Sequence, residues 1–442
     1  MRRTLLSLIL LASFVLSTPR ALANAVQSNI SADEFPSEVA SSWFELLYDV
    51  VKAERTTPPP ASRIYGISAV ALYESIVSGT EENRSLVGQL NGLVALPQAI
   101  KKNLHWPTVA NTVLANTIRG LFPSISAASL YAIKSLELNF ANRYQESVPR
   151  PHYDRSVSHG RAVASAILSW ASGDGFSMNN NCPYVPMAVP GAWEPTPPAF
   201  NPNPLQPCWG FIRPMVLTSG GECPPIAHPA FSTNNASDFY NAALEVYDVG
   251  LGLTIEQKTI ADYWSDGPAA TGTPPGHWFA IVSQIARNDR LSLAAAAEAY
   301  ARVGIAVHDA FIACWNAKYV YNLQRPVTYI RQNINPSWTP YIVTPAFPTY
   351  TSGHSTQSGA AARVLTDMFG PKSFTDTTHT DHGLVPPQQP RIFNSFDEAA
   401  AEAAISRLYG GIHYAFDNNN GLVCGQCIAQ KIRDRVSFRT EH

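Results

Sequence analysis

An all-α fold with long Pro-rich loops is what this sequence predicts, and three observations carry that reading. Apolar residues recur at helical spacing through most of the chain, and no alternating pattern of useful length reads as a strand. Capping signatures stand ahead of helical stretches in the second half. Between the helical regions lies a Pro-, Asn- and Cys-rich run, Asn179 to Pro229, with the composition of a long ordered excursion.

At the N-terminus, Arg2-Arg3 precede an apolar run from Leu5 to Leu16 and then Ala21-Leu22-Ala23. This predicts a secretory signal peptide over residues 1–23, cleaved after Ala23, with Ala25 as the fallback. The rest of a twin-arginine motif is missing. No later stretch has the apolar length of a transmembrane helix, so an exported protein, periplasmic or secreted, without membrane insertion is expected. Residues 24–175 form an N-terminal helical bundle, with patterns at Ser41–Val51, Ser68–Val77 and Ser158–Trp170. The excursion occupies residues 176–235 and is expected to cover a cleft. A C-terminal bundle follows over residues 236–442, with helices resuming at Asp238. There Thr254 with Gln257, and Ser395 with Glu398, fit capping boxes. Leu293 to Lys318 is the longest continuous helical signal, read as one helix or two.

Composition narrows the function. With 442 residues and 45% apolar content the chain can bury a large interior. A net charge of −2, 14% charged residues and no long basic run argue against a nucleic-acid partner. Six cysteines (Cys182, Cys208, Cys223, Cys314, Cys424, Cys427) permit up to three disulfides in an oxidising compartment, with the pairing open. Cys424-Gly-Gln-Cys427 has C-x-x-C spacing, but no second pair at zinc-finger spacing accompanies it; a structural disulfide or two packed thiols is the reading. His379-Thr-Asp-His382 sits among Thr, Gly and Pro and reads as a surface loop rather than a zinc site. His277, in P-P-G-H-W, either packs at a helix start or lines the cleft.

Three segments carry the chemistry: Lys318 to Pro326 (K-Y-V-Y-N-L-Q-R-P), Thr351 to His354 (T-S-G-H) and Ser406 to Asp417 (S-R-L-Y-G-G-I-H-Y-A-F-D). Taken singly, each has an ordinary structural reading as a solvated helix face, a cap and turn, or a surface pair. Together they supply the cations, the Ser-Gly pair and the two histidines that a pocket for a tetrahedral or trigonal-bipyramidal oxyanion needs. Lys318 and Arg325 are seven residues apart, which puts both on one helix face, and Pro326 ends that helix. Ser352 is a good N-cap for the Ala-rich stretch Gly359–Met368, and its hydroxyl with the Gly353 amide suggests an anion nest. Arg407 offers a planar fork. Gly410-Gly411 breaks a helix and re-aims His413, with Asp417 placed to fix its tautomer.

The order K-x6-R-P, S-G-H, S-R-x5-H-x3-D resembles the vanadium-dependent haloperoxidase family, which shares its anion site with type 2 phosphatidic acid phosphatases and class A acid phosphatases. Weaker likeness extends back through Tyr263–Gly267, Pro274–Trp278 and Ala306–Trp315. The resemblance implies two related helical bundles with the active site in the C-terminal one, in keeping with a faint echo between Ala71–Ser75 and Ala306–Ala310. It implies vanadate as cofactor, in a site that phosphate could also occupy. Lys318, Arg325 and Arg407 would neutralise the oxyanion, with Ser352 and Gly353 donating to it. His413 would be the metal ligand and His354 the general acid–base, with Lys318 also polarising bound peroxide. Phe347 and Trp315 would flank the halide approach, and Asp266 would pair with an arginine of the site. Phe347, Trp315 and Ser355 would set halide preference. Hydrogen peroxide and halide are the implied partners, with or without an organic acceptor; nothing sets the oligomeric state.

The same residues can run a second chemistry, a soluble exported acid phosphatase with His413 as nucleophile and His354 as general acid. Chain length and the extended helical region ahead of the motif favour the haloperoxidase. A third reading is a protein that binds an oxyanion without turnover. The intact set of Lys318, Arg325, His354, Arg407 and His413 counts against it.

Overall fold

The computed structural model describes residues 30–99 and 103–440, so the expected signal peptide lies outside the described residues. Helices dominate. The N-terminal half holds α1 (Glu38–Ala53), α2 (Pro58–Ile76), α3 (Trp106–Leu121), α4 (Ala127–Ser147), α5 (Arg150–Ser172) and the short α6 (Phe176–Asn179). After the excursion come α7 (Asp238–Leu251), α8 (Ile255–Tyr263), α9 (Thr273–Asn288), α10 (Leu293–Tyr321), α11 (Pro326–Asn333) and α12 (Gly353–Phe369). The C-terminal part adds β1 (Phe374–Asp376), α13 (Thr378–Asp381), β2 (Arg391–Phe393), α14 (Phe396–Tyr409) and α15 (Ala415–Arg435). The two strands pair antiparallel over three residues, Phe374 opposite Phe393.

Local chemistry explains the boundaries. The Thr254 capping box is complete: Gln257 N donates to Thr254 Oγ1 at 3.2 Å and Thr254 N to Gln257 Oε1 at 2.9 Å. At α14 the cap is displaced by one residue. Glu398 N donates to Ser395 Oγ, but the Glu398 carboxylate accepts from Asn394 N rather than from Ser395 N. Ser292 caps α10, a single helix through the whole Leu293–Lys318 signal. It stops at Asn322, which takes the left-handed conformation (φ 47°) that asparagine tolerates better than most residues. The helix thus ends before Arg325, and not at Pro326 as the sequence suggested. The excursion holds the turn there: Trp193 N donates to Asn322 O at 2.7 Å and Gln324 N to Gly191 O at 2.8 Å.

Both halves share one interior. The main apolar core takes residues from Ala32 to Phe438 and includes more than half of α2 and of α10, which pack side by side. The echo between the two helices has a physical content. Glu74 on α2 accepts from the Leu86 amide and the Ser85 hydroxyl, and Asp309 on α10 accepts from the amides of Met215, Val216 and Leu217. Each helix therefore uses an acid at the echoed position to gather a loop by its backbone.

Disulfides Cys182–Cys208 and Cys223–Cys427 staple the excursion to itself and to α15. Cys424 is not paired with Cys427. Cys427 faces the excursion, while Cys424 points into the interior as a buried thiol, pushed up to about 12 by burial. The His379–His382 segment is a short helix rather than a surface loop. His379 is buried, stacked on Tyr263 at 4.5 Å, and His382 stacks on Tyr48 at 3.7 Å. Among the described residues no helix is long and apolar enough to cross a membrane.

Candidate active site

Four helix termini bring the predicted residues together. Lys318 lies in the last turn of α10, Arg325 is the N-cap of α11, Ser352 is the N-cap of α12, and Arg407 lies in the last turn of α14. His413 follows in the turn between α14 and α15, where Gly411 adopts φ 74°. Lys318 and Arg325 do not share a helix face; they converge because the chain turns at Asn322. Helices α12 and α15 pack so tightly that a Cβ on Gly425 would lie 2.3 Å from Thr356 O, and at their N-terminal ends Ser352 N donates to Asp417 O at 3.1 Å.

His413 is held by acceptors on one side and meets an arginine on the other. Its Nδ1 is 2.8 Å from Asp417 Oδ2 and 3.0 Å from Thr349 Oγ1, while Thr349 also donates to Asp417. Nε2 is 3.1 Å from Arg325 Nη1, a donor, so the network assigns the proton to Nδ1 and the lone pair to Nε2. Burial and the charges of Arg325, Lys318 and Arg407 hold the imidazole well below its ordinary value, so it is neutral. His354 Nε2 accepts from Arg407 Nη1 at 3.1 Å, and burial with the Arg407 charge likewise disfavours its proton.

Burial pulls Lys318 down to about 7, Arg325 to about 9 and Arg407 to about 10, with mutual repulsion adding to the first two. Asp417, raised to about 6 by burial, cannot balance three cations. Arg325 Nη2 and Arg407 Nε are buried donors without a protein acceptor. Such a donor set fits an oxyanion, which would satisfy both arginines and offset their desolvation. Gly353 supports the fit, because a Cβ there would meet Trp315 only at 3.5 Å, so packing alone does not demand glycine.

The remaining predicted residues divide. Lys318 Nζ spends its protons on the carbonyls of Pro348, Thr349 and Thr351 at 3.0, 2.8 and 2.5 Å, so it acts on the pocket through its charge. Ser352 Oγ accepts from Ser355 N at 3.3 Å, completing the helix cap. Phe347 and Trp315 stand 5.0 Å apart on the cavity wall, and the Arg325 guanidinium lies 4.7 Å over Phe347. Ser355 is buried toward Asn418 instead of lining the cavity, because one residue on from His354 the helix turns it to another face. Asp266 hydrogen-bonds a histidine rather than an arginine: its Oδ2 is 3.0 Å from Nδ1 of His277, whose Nε2 is 2.7 Å from Asp376, and it acts on Arg407 through its charge alone. Its own backbone is left-handed (φ 46°).

Thr349, Asp376 and Leu205 were not singled out in the sequence. Thr349 lies two residues before the T-S-G-H segment, and only that proximity pointed to it. Leu205, in the excursion, lines the cavity and accepts from Trp315 Nε1 and Tyr319 OH at 3.2 and 2.6 Å. Above the cations the cavity measures about 420 Å³, its walls mostly apolar and its polar end formed by Ser265, Asp266, His354, Arg407 and His413.

Fold and site together define a helical protein with a buried, multiply cationic pocket opening into an apolar cavity. Comparisons with known proteins place it further. Residues 298–441 match the family model of the VCPO second helical-bundle domain. The vanadium chloroperoxidase of Curvularia inaequalis is 27% identical over 213 residues, a match spanning 35% of each chain and thus about a third of that relative's length. The crystal structure of the first bacterial vanadium-dependent iodoperoxidase is 35% identical, covers 92% of this chain and 98% of its own, and superposes with a TM-score of 0.85. A holo-type bacterial vanadium-dependent chloroperoxidase, at 15% identity and TM-score 0.66 over 86% of this chain, shares the fold. The chain belongs to the vanadium-dependent haloperoxidase family.

Proposed function

We propose that this protein is an exported haloperoxidase that binds vanadate and uses hydrogen peroxide to oxidise halide, iodide foremost. The observation that carries the reading is His413, pinned by Asp417 and Thr349 so that an unprotonated Nε2 faces the cation cluster. Iodide is favoured because the iodoperoxidase matches over nearly its full length at 35% identity. Export is supported by the two disulfides, which persist in oxidising compartments.

His413 Nε2 would ligate the vanadium, and the side chains of Arg325 and Arg407 would bind the oxyanion oxygens. Bound vanadate supplies Lewis acidity without a change of oxidation state. Lys318 contributes positive charge from behind, held in place by its three carbonyls. His354, neutral because burial and Arg407 oppose its charge, takes the proton of incoming peroxide. Overall, halide, peroxide and one proton give hypohalous acid and water.

The test is iodide and bromide oxidation by metal-free protein before and after orthovanadate is added. Activity appearing only with vanadate supports the reading. Absent activity, with p-nitrophenyl phosphate hydrolysed and vanadate inhibiting, makes the protein a phosphatase on the same residues.

A further inference from the structure

Charges alternate along a buried line that ends at the oxyanion pocket: Asp376 on β1, His277 on α9, Asp266 after α8 and Arg407 on α14. His277 has Nε2 2.7 Å from Asp376 Oδ2 and Nδ1 3.0 Å from Asp266 Oδ2. An ionised carboxylate accepts and cannot donate, so a ring between two of them carries both protons and is an imidazolium. Trp264 stacks on it at 4.3 Å, and the Trp264 carbonyl accepts from Arg407 Nη1.

The two acids are not equivalent. Asp376 also accepts from Thr378 N at 2.9 Å, Thr378 Oγ1 at 2.6 Å and Gln284 Nε2 at 3.3 Å, which favour its charge on their own. Asp266 has no such set. Its Oδ1 is buried without a partner, and among the described residues His277 is the one side chain that donates to it. The charge of Asp266 therefore depends on His277, and it reaches Arg407, whose protonated form it favours against burial. The other ionisable groups facing these acids and His277 bring no anion. Burial pushes Tyr48, Tyr65 and Tyr263 up and pushes His354 and His379 down.

We propose that His277 is a positioning residue of the oxyanion site, whose imidazolium keeps Asp266 a carboxylate and so fixes the charge on the Arg407 side of the pocket as pH changes. The inference rests on the reading of the cation cluster as an oxyanion site, and adds the group that holds its charge constant.

The test is calorimetric titration of the full, vanadate-free chain with tungstate between about pH 6 and 9, a span over which an ordinary histidine is discharged. Tungstate stays a tetrahedral dianion throughout it. Taking the ratio of variant to wild-type dissociation constants cancels the titration of Lys318 and Asp417. In His277→Gln, which keeps a donor but no charge, that ratio should rise roughly five- to thirtyfold with pH, as Asp266 gives up its proton and opposes the anion. Asp266→Asn should give the same ratio at both ends of the span, because the acid it replaces is ionised throughout. A constant ratio for His277→Gln, or a changing one for Asp266→Asn, overturns the proposal. A second measurement needs no variant. In wild-type protein with histidine labelled for nitrogen NMR, one imidazole should keep both nitrogens protonated at about pH 9. No such imidazole overturns the proposal as well. Absence of tungstate binding by the wild-type protein defeats the oxyanion-site reading itself, whereas the labelled imidazole judges His277 independently.

Discussion

Each active-site histidine is oriented by a partner within hydrogen-bond reach, and so each can be tested alone. Replacing His354 with Ala should lower turnover by roughly 10²–10⁴-fold, the usual worth of a positioned acid–base. Vanadate affinity, measured by calorimetric titration, should largely persist; a collapse would make His354 an oxyanion ligand instead. Thr349→Val keeps the side-chain shape but removes the hydroxyl joining His413 to Asp417. Vanadate affinity should fall about 10–100-fold, as is typical when a residue orienting a metal ligand is lost. His277 carries a different prediction. Burial opposes its charge, but Asp266 and Asp376 outweigh burial and raise it to about 10. Its ordinary value near 6.5 is thus exceeded in the fold, so the stability it lends is complete below about pH 6.5 and is lost as pH rises through about 10. Thermal midpoints should fall between about pH 7 and 10, and His277→Gln should flatten that slope.

At the scale of the helix, the site depends on how closely α12 and α15 approach. Gly425→Val forces a side chain into Thr356 O and should cost about 1–3 kcal/mol or more in urea unfolding. Vanadate affinity should drop with it, since α12 begins at His354's turn and α15 at Asp417's; unchanged affinity would detach the site from this packing. The same helices show what was legible in the sequence. Ser352, Gly410-Gly411 and the Thr254 box signal chain ends through local hydrogen bonding, and the structure follows them. Asn322 does not announce itself as a helix stop, because its left-handed turn is held by Trp193 from 129 positions earlier in the chain. Asp266 was legible as an acid near the site, but its histidine partner was not, since the pairing forms only once α9 and β1 bring His277 and Asp376 together.

For the whole molecule, one apolar interior unites two bundles, and covalent links tie the excursion to it. Cys223–Cys427 spans 204 positions of sequence, so it removes much conformational freedom from the unfolded chain. Cys223→Ser with Cys427→Ser should lower unfolding stability by about 2–5 kcal/mol, read from guanidinium titration. An unchanged midpoint would mean that the shared core alone fixes the excursion.

Leu205 gives the cavity an evolutionary independence from its floor. The oxyanion cradle is written at helix ends, where altering one turn disturbs the others. One wall, in contrast, is a loop bracketed by Cys182 and Cys208, whose Leu205 carbonyl is shared between Trp315 and Tyr319 of α10. Substitutions at Leu205 alter the cavity wall without replacing any residue that holds the anion. A lineage with this architecture can change clients while keeping its trade.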